Sequence, residues 1–265
     1  YLVNNDNCQK GVDIMEEAKK KGSTYLDAYF NIKYADFLKN CEAQMPERSL
    51  EFAKKGQELL KENIKIQPNY TRNWILLGGF TNVLAEGEKD PLKKQELIKE
   101  LNSYFEKASQ LSPKRQEVLT EWAKGMLVAE NYQRAKELAQ QCIQFNYALP
   151  DCHWLLGLSE LLLGNTTEGE QSVKTAVQWG YDAESSGSLN QLAKIYSAKK
   201  DYQKLAEVYE KLVQLKPKEA QYHASLAFTY KELKQYDGAR KEALIVLELM
   251  PEAREEVEVF LQTLK

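Results

Sequence analysis

Leu192-Ala193-Lys194-Ile195-Tyr196 returns 34 positions later as Leu226-Ala227-Phe228-Thr229-Tyr230. The same offset joins Lys200 to Lys234, Tyr202 to Tyr236, Leu215 to Leu249 and Pro217 to Pro251. A period of 34 residues is the length of one helix-turn-helix unit, and such a unit cannot bury its apolar face alone. Units of this kind stack, and the stack offers an extended surface for a partner rather than a pocket for chemistry.

Working outward, Leu226, Ala227 and Tyr230 form an i, i+1, i+4 stripe on one helix, and Ala239, Ala243 and Val246 form an i, i+4, i+7 stripe on the next. Ala227 and Ala239 are small where two backbones approach, and Tyr230 is large where a gap between pairs needs filling. Pro46, Pro68, Pro91, Pro113, Pro150, Pro217 and Pro251 all fall between apolar-periodic segments or at their starts, as helices require. Thr167 with Glu170 reads as a capping box, and Asn131, Asp201 and Asp90-Pro91 read as helix starts.

The pattern resembles the tetratricopeptide repeat. Trp74 with Leu77-Gly78, the run His153-Trp154-Leu155-Leu156-Gly157 with Gly164, and Asn131-Tyr132 with Ala135 match successive parts of that motif. The resemblance implies an all-α fold, a right-handed superhelical solenoid of antiparallel helix pairs closed by a C-terminal capping helix. Aligned this way, the chain is one solenoid over residues 1–265. Residues 1–21 form a partial unit and 22–68 a degenerate one, in which Thr24 to Cys41 pairs with Pro46 to Ile66. Five units fill 69–251, beginning near Thr71, Gln116, Pro150, Ser186 and Ala220, with an insertion at Glu86 to Glu96. Residues 252–265 form the cap, with Val257, Phe260 and Leu261 on one side.

Basic and acidic residues, 36 against 39, are interleaved, so no electrostatic footprint for nucleic acid is present. The longest apolar run, Leu155 to Leu163, is broken by Gly157 and Glu160 and falls far short of the roughly 18 residues of a membrane span. The chain starts at Tyr1 without a basic region and apolar run, so the start reads as a processed end or a cut through a longer array. The four cysteines lack C-x-x-C spacing, and a structural zinc site is not expected. Cys142 and Cys152 flank a turn near Tyr147, and Cys8 and Cys41 flank one near Gly22. Each pair is open to two readings, a disulfide formed outside the cytosol or small residues filling helix contacts.

His153 and His223 occupy the fourth position of their units, where Trp74, Leu119 and Leu189 stand elsewhere, so each reads as a wedge between helices rather than a general base. Motifs for nucleophilic, metal or phosphate chemistry are missing, and neither an enzymatic activity nor a cofactor is expected. The turn tripeptides Asn69-Tyr70-Thr71 and Asn165-Thr166-Thr167 match the glycosylation sequon and read as capping chemistry.

With positions four, seven, eight and eleven turned inward, helical geometry puts positions two, five, nine and twelve on the opposite face. In the resembled family that face lines the groove. It carries Arg72, Ile75, Gly79 and Asn82 in the first unit, then Glu117, Thr120, Lys124 and Leu127. The middle unit places Trp154, Leu158 and Leu161 there as an apolar strip, with packing against neighbouring helices as the competing reading. Asn190, Lys194, Phe228 and Lys231 continue the row. The chaperone-tail form of the family needs cations where Gln221 and Ser225 stand, so that ligand is not expected. The leading expectation is a non-catalytic scaffold holding a protein or peptide partner.

A second resemblance is to the soluble C-terminal repeat region of bacterial O-antigen ligase and polymerase-like membrane proteins. It is carried by Arg72 to Gly78, Leu111 to Glu117, Cys152 to Leu158 and Ala220 to Ala227, within Pro68 to Lys265. It implies an accessory domain tethered to an upstream membrane part, on either side of a bacterial membrane.

Overall fold

The computed structural model describes residues 5–21 and 27–264; the turn near Gly22 and the helix start at Thr24 lie outside them. The described residues form α-helices and two short 3-10 turns, and no strand. The chain divides within one helix into two compact units, residues 1–172 and 173–265.

The first unit contains α1 (Asn5–Lys21), α2 (Asp27–Gln44), α3 (Ser49–Ile66), α4 (Thr71–Gly87), α5 (Pro91–Leu111), α6 (Gln116–Val128), α7 (Tyr132–Phe145) and α8 (Pro150–Leu163). The dividing helix is α9 (Thr166–Gln178). Helices pair as α2 with α3, α4 with α5 and α6 with α7, and each pair's second helix packs on the next pair's first. First helices also touch one another, α2 with α4, α4 with α6 and α6 with α8. This is the neighbour-on-neighbour packing that a 34-residue period demands.

Two buried clusters fill this unit. Tyr34, Leu38, Phe52, Leu59, Leu60, Leu77 and Phe80 form one, and Leu101, Phe105, Trp122, Leu138 and Leu155 belong to the other. Each fully buried large side chain contributes about 1.5–3 kcal/mol. Glycine lets rings in: a Cβ at Gly78 of α4 would lie 2.6 Å from Cζ of Phe105 of α5, well inside contact distance. Disulfides tie Cys8 of α1 to Cys41 of α2, and Cys142 of α7 to Cys152 of α8, so the oxidised reading of both pairs holds.

The second unit contains α10 (Ser186–Lys199), α11 (Tyr202–Leu215), α12 (Ala220–Glu232), α13 (Tyr236–Leu249) and α14 (Arg254–Gln262). α10 pairs with α11, α12 with α13, and α11 packs on α12. Leu226, Ala227, Ala239, Ala243 and Val246, from the two expected stripes, are all buried. Tyr230 lies over Gly238 of its own pair and donates its hydroxyl to Glu210 of α11 at 2.8 Å, so it fills the seam between pairs. The capping segment enters through a 3-10 turn, Pro251–Ala253, and α14 packs Val257, Phe260 and Leu261 toward Ala243 and Val246.

Helix ends follow one scheme. Glu130, Gly164, Lys200 and Lys234 adopt left-handed backbone with φ of 57°, 91°, 55° and 60°. The N–H after each bonds back across the turn to a carbonyl of the helix it leaves, Asn131 to Met126, Asn165 to Glu160, Asp201 to Tyr196 and Gln235 to Tyr230. Asn131, Asp201 and Asp90 then cap the following helices through their side-chain oxygens. α9 departs from expectation: it begins at Thr166, before Thr167, and the Asn165 carbonyl accepts from Gly169 N–H.

Candidate functional site

The first helices of successive pairs present one face in each unit. In the first unit that face is built around Arg72, in the opening turn of α4. Its guanidinium reaches back to Asp36 of α2, with Nη2 2.6 Å and Nε 3.2 Å from Oδ1, and forward to Glu117 of α6 at 3.3 Å. Hydrogen bonding to Asp36 holds the guanidinium above its ordinary range. Arg115 also binds Glu117, so one ladder of ion pairs crosses α2, α4 and α6. Charge-assisted forks of this kind fix geometry as much as they add energy.

One turn along, Lys39 pairs with Glu42 at 2.8 Å and Lys124 with Glu121 at 2.7 Å. Gly79 lies between them: a Cβ there would be 3.6 Å from Glu121 Oε2 and 3.9 Å from Lys39 Nζ. The result is a polar cleft of about 310 Å³ floored by Ile75 and Gly79. Burial pushes the Glu42 carboxyl above the usual carboxylate range, with Lys39 opposing and Glu121 adding to the rise. Glu42 Oε1 and Asn82 Oδ1 are buried with no hydrogen-bond partner among the described residues. Toward the α3–α4 loop a second cleft, about 600 Å³, shares Asp36 and Arg72 and is walled by Tyr29 and Tyr70.

The second unit has two further depressions on its first-helix face. Asn190, Lys194 and Ser197 of α10 and Gln221, Tyr222 and Ser225 of α12 line a cleft of about 710 Å³, braced where the Asn190 amide donates to the Tyr222 hydroxyl at 2.9 Å. Between α12 and α14 lies an apolar trough of about 290 Å³ with Ala224, Phe228 and Phe260 in its wall. Phe228 is 49% exposed, and the Lys231 ammonium stands 5.6 Å from the Phe260 ring centroid.

The expected face is therefore open at some residues and closed at others. Arg72, Ile75, Gly79, Asn190, Lys194 and Phe228 line clefts, and Lys124 is held beside one by Glu121. Trp154, Leu158 and Leu161 are buried to 2%, 2% and 0% exposure, so the apolar strip is packing and offers no surface, which is the competing reading of those residues. Thr120 is buried and its neighbour Glu121 faces the cleft instead. Tyr29, Asp36, Lys39 and Asn40 of α2 line clefts without having been expected, because the degenerate unit lacks the motif that would have numbered them.

His153 and His223 are buried, as expected of wedges, but their rings also make polar contacts. His153 Nε2 lies 2.7 Å from the Tyr147 carbonyl oxygen and His223 Nε2 3.0 Å from that of Pro217. Among the described residues no three His, Cys, Asp or Glu side chains converge as metal ligands, and no helix is long and apolar enough to cross a membrane.

The tetratricopeptide repeat profile matches residues 186–219, the α10–α11 pair. No curated protein matches the chain in sequence. Among solved structures, the chain is similar to one in the APC/C hetero-tetramer Cut9-Hcn1, at 11% identity and a TM-score of 0.66, over 96% of this chain and 46% of that one. It thus spans about half the length of that relative. A thermophilic tetratricopeptide-repeat protein from Thermus thermophilus aligns at 14% identity and a TM-score of 0.55, over 73% of this chain and 91% of that one. PilF of Pseudomonas aeruginosa aligns at 14% identity and 0.54, over 86% and 97%. At such identities the likeness is one of fold.

Proposed function

We propose, for a chain that carries a tetratricopeptide repeat and folds as an array of such helix pairs, that it is a non-catalytic scaffold holding a protein or peptide partner on its first-helix face. The observation that carries this reading is Phe228, a large apolar side chain left 49% exposed in the wall of an apolar trough. Buried aromatic anchors dominate interface energies, and an aromatic poised at a trough is the expected form of one before binding. The first unit contributes geometry of another kind, with Arg72, Asp36 and Glu117 locked in register and ready to orient a polar backbone. Asn82 and Lys124 belong to the first-helix face of the first unit and Asn190, Lys194 and Lys231 to that of the second, whereas Trp154, Leu158 and Leu161 enter only as support within the first. Partner affinity of Phe228→Ala and Arg72→Ala variants tests this: each is expected to lose at least about fivefold, with folding unchanged by circular dichroism. Full affinity in both would sink it.

A second reading, a soluble accessory domain of a bacterial membrane glycan-assembly protein of the O-antigen ligase or polymerase kind, draws support from the two disulfides. Paired cysteines suit the oxidising side of a membrane. The upstream reading frame decides it: a run of apolar spans is expected, and their absence refutes the reading.

A further inference from the structure

We propose that the cleft between Tyr29 and Tyr70 receives a proline-rich segment of the partner in extended polyproline form. This rests on the partner-holding reading and adds the partner's chemistry. The cleft, about 600 Å³, falls within the roughly 300–1,000 Å³ of ordinary ligand sites. Its two walls are tyrosines left 61% and 49% exposed, Tyr29 in the first turn of α2 and Tyr70 just before α4. Neither phenol hydroxyl is hydrogen-bonded to a described residue. Exposed rings facing a shared cleft are platforms for a flat apolar group.

Charge narrows the choice. Asp36 and Arg72 neutralise each other through a bidentate contact, and the Lys33 ammonium stands 5.5 Å from the Tyr29 ring centroid. A basic segment would find Asp36 engaged and would meet the Lys33 ammonium, and an acidic one would find Arg72 engaged and a single lysine set against a ring, so the cleft favours an uncharged occupant whose carbonyls Lys33 can serve. A polyproline strand has no internal hydrogen bonds, and its proline residues present carbonyls without N–H groups, so it needs donors and ring faces together. The cleft supplies both: two phenol hydroxyls and the side-chain amides of Gln67 and Asn69 as donors, and the tyrosine faces for stacking.

The wall is held before binding. Trp74 Nε1 donates to the Pro68 carbonyl at 2.7 Å and Asn73 Nδ2 to that of Gln67 at 3.2 Å, fixing the loop that carries Tyr70. Preorganised ligand and preorganised wall both reduce the entropy lost on association.

The test uses the full chain and N-acetyl octaproline amide, followed by amide chemical-shift mapping and calorimetry. Saturable binding is expected, with shifts centred on Tyr29, Ile32, Asn69 and Tyr70. Tyr29→Ala and Tyr70→Ala are expected to weaken it by at least about tenfold, Tyr70→Phe by less, and Leu92→Ala, an exposed change elsewhere, not at all. A glycine-serine octapeptide that binds there as tightly as octaproline overturns the proline class and leaves the scaffold reading standing. Maltoheptaose shifting these amides while octaproline does not would reassign the cleft to a sugar. Octaproline failing to shift cleft amides in the unaltered chain also overturns the proposal, and the scaffold reading then stands or falls separately on Phe228.

Discussion

Trp74 donates its indole N–H to the carbonyl oxygen of Pro68, 2.7 Å away and six residues earlier. His153 repeats the contact to Tyr147 and His223 to Pro217 at the same repeat position, whereas α6 and α10 carry Leu119 and Leu189 there, and in α10 the neighbouring Ser188 donates to the Asp182 carbonyl at 2.7 Å. A carbonyl only accepts, so the ring nitrogen facing it carries the hydrogen. Where the fourth position of a unit carries a ring N–H, it thus fastens the loop before its helix.

Replacing that donor should therefore cost a hydrogen bond without emptying the core. His153→Leu is expected to destabilise by about 1 kcal/mol in urea unfolding, and His153→Gln by less. Equal losses for the two would show that ring packing, and not the donated hydrogen, is what the position requires.

Glu42 and Glu16 should have opposite effects on the pH profile. Burial raises the Glu42 carboxyl above 4.5, so its stabilising contribution is present below 4.5 and lost as pH rises through the folded value. Glu42→Gln should then stabilise at neutral pH relative to the parent and lose that advantage in acid. For Glu16, burial is the largest influence and raises the carboxyl, but the Tyr34 hydroxyl at 2.7 Å and Lys55 at 2.9 Å together bring it below 4.5. Its contribution is present above 4.5 and lost as pH falls through the folded value, so Glu16→Gln should destabilise at neutral pH and converge on the parent in acid. Unfolding midpoints from pH 7 to pH 3, roughly the span over which carboxylates titrate, check both signs.

Lys200 and Lys234 hold left-handed backbone at φ 55° and 60°, where a Cβ is crowded and glycine is not. Each changed to Gly should gain about 1 kcal/mol of stability. A loss at both would mean that their side chains make contacts worth more than the strain.

The disulfides close separations of 33 and 10 residues, and loop entropy assigns them about 4 and about 3 kcal/mol. Reduction should lower the urea midpoint markedly. Unreduced, denatured protein should resist alkylation at all four cysteines; four modified thiols would remove the bridges and with them the support for an oxidising compartment.

Much of the fold was legible because packing obeys the period. Helices begin at Thr71, Gln116, Pro150, Ser186 and Ala220, the residues at which the motif restarts. The face was harder to read, for two physical reasons. α8, with Trp154, Leu155, Leu158 and Leu161, is apolar all round, so periodicity cannot say which side is covered, and its expected groove strip is buried. α2 belongs to a unit without the motif, so Tyr29, Asp36 and Lys39 had no position numbers to assign them to the face. The cysteine pairs were visible as flanks of turns, but only the 5.8 and 5.9 Å Cα separations select the bonded alternative.

A partner held as proposed lies along the first helices. Hydrogen–deuterium exchange of the full chain, with and without a partner recovered on it, measures this directly. Slowed exchange is expected in the first helices of each unit, α2, α4 and α6 in the one and α10 and α12 in the other. Slowing confined to the second helices α3, α5, α7, α11 and α13, with the first helices unchanged, would contradict it.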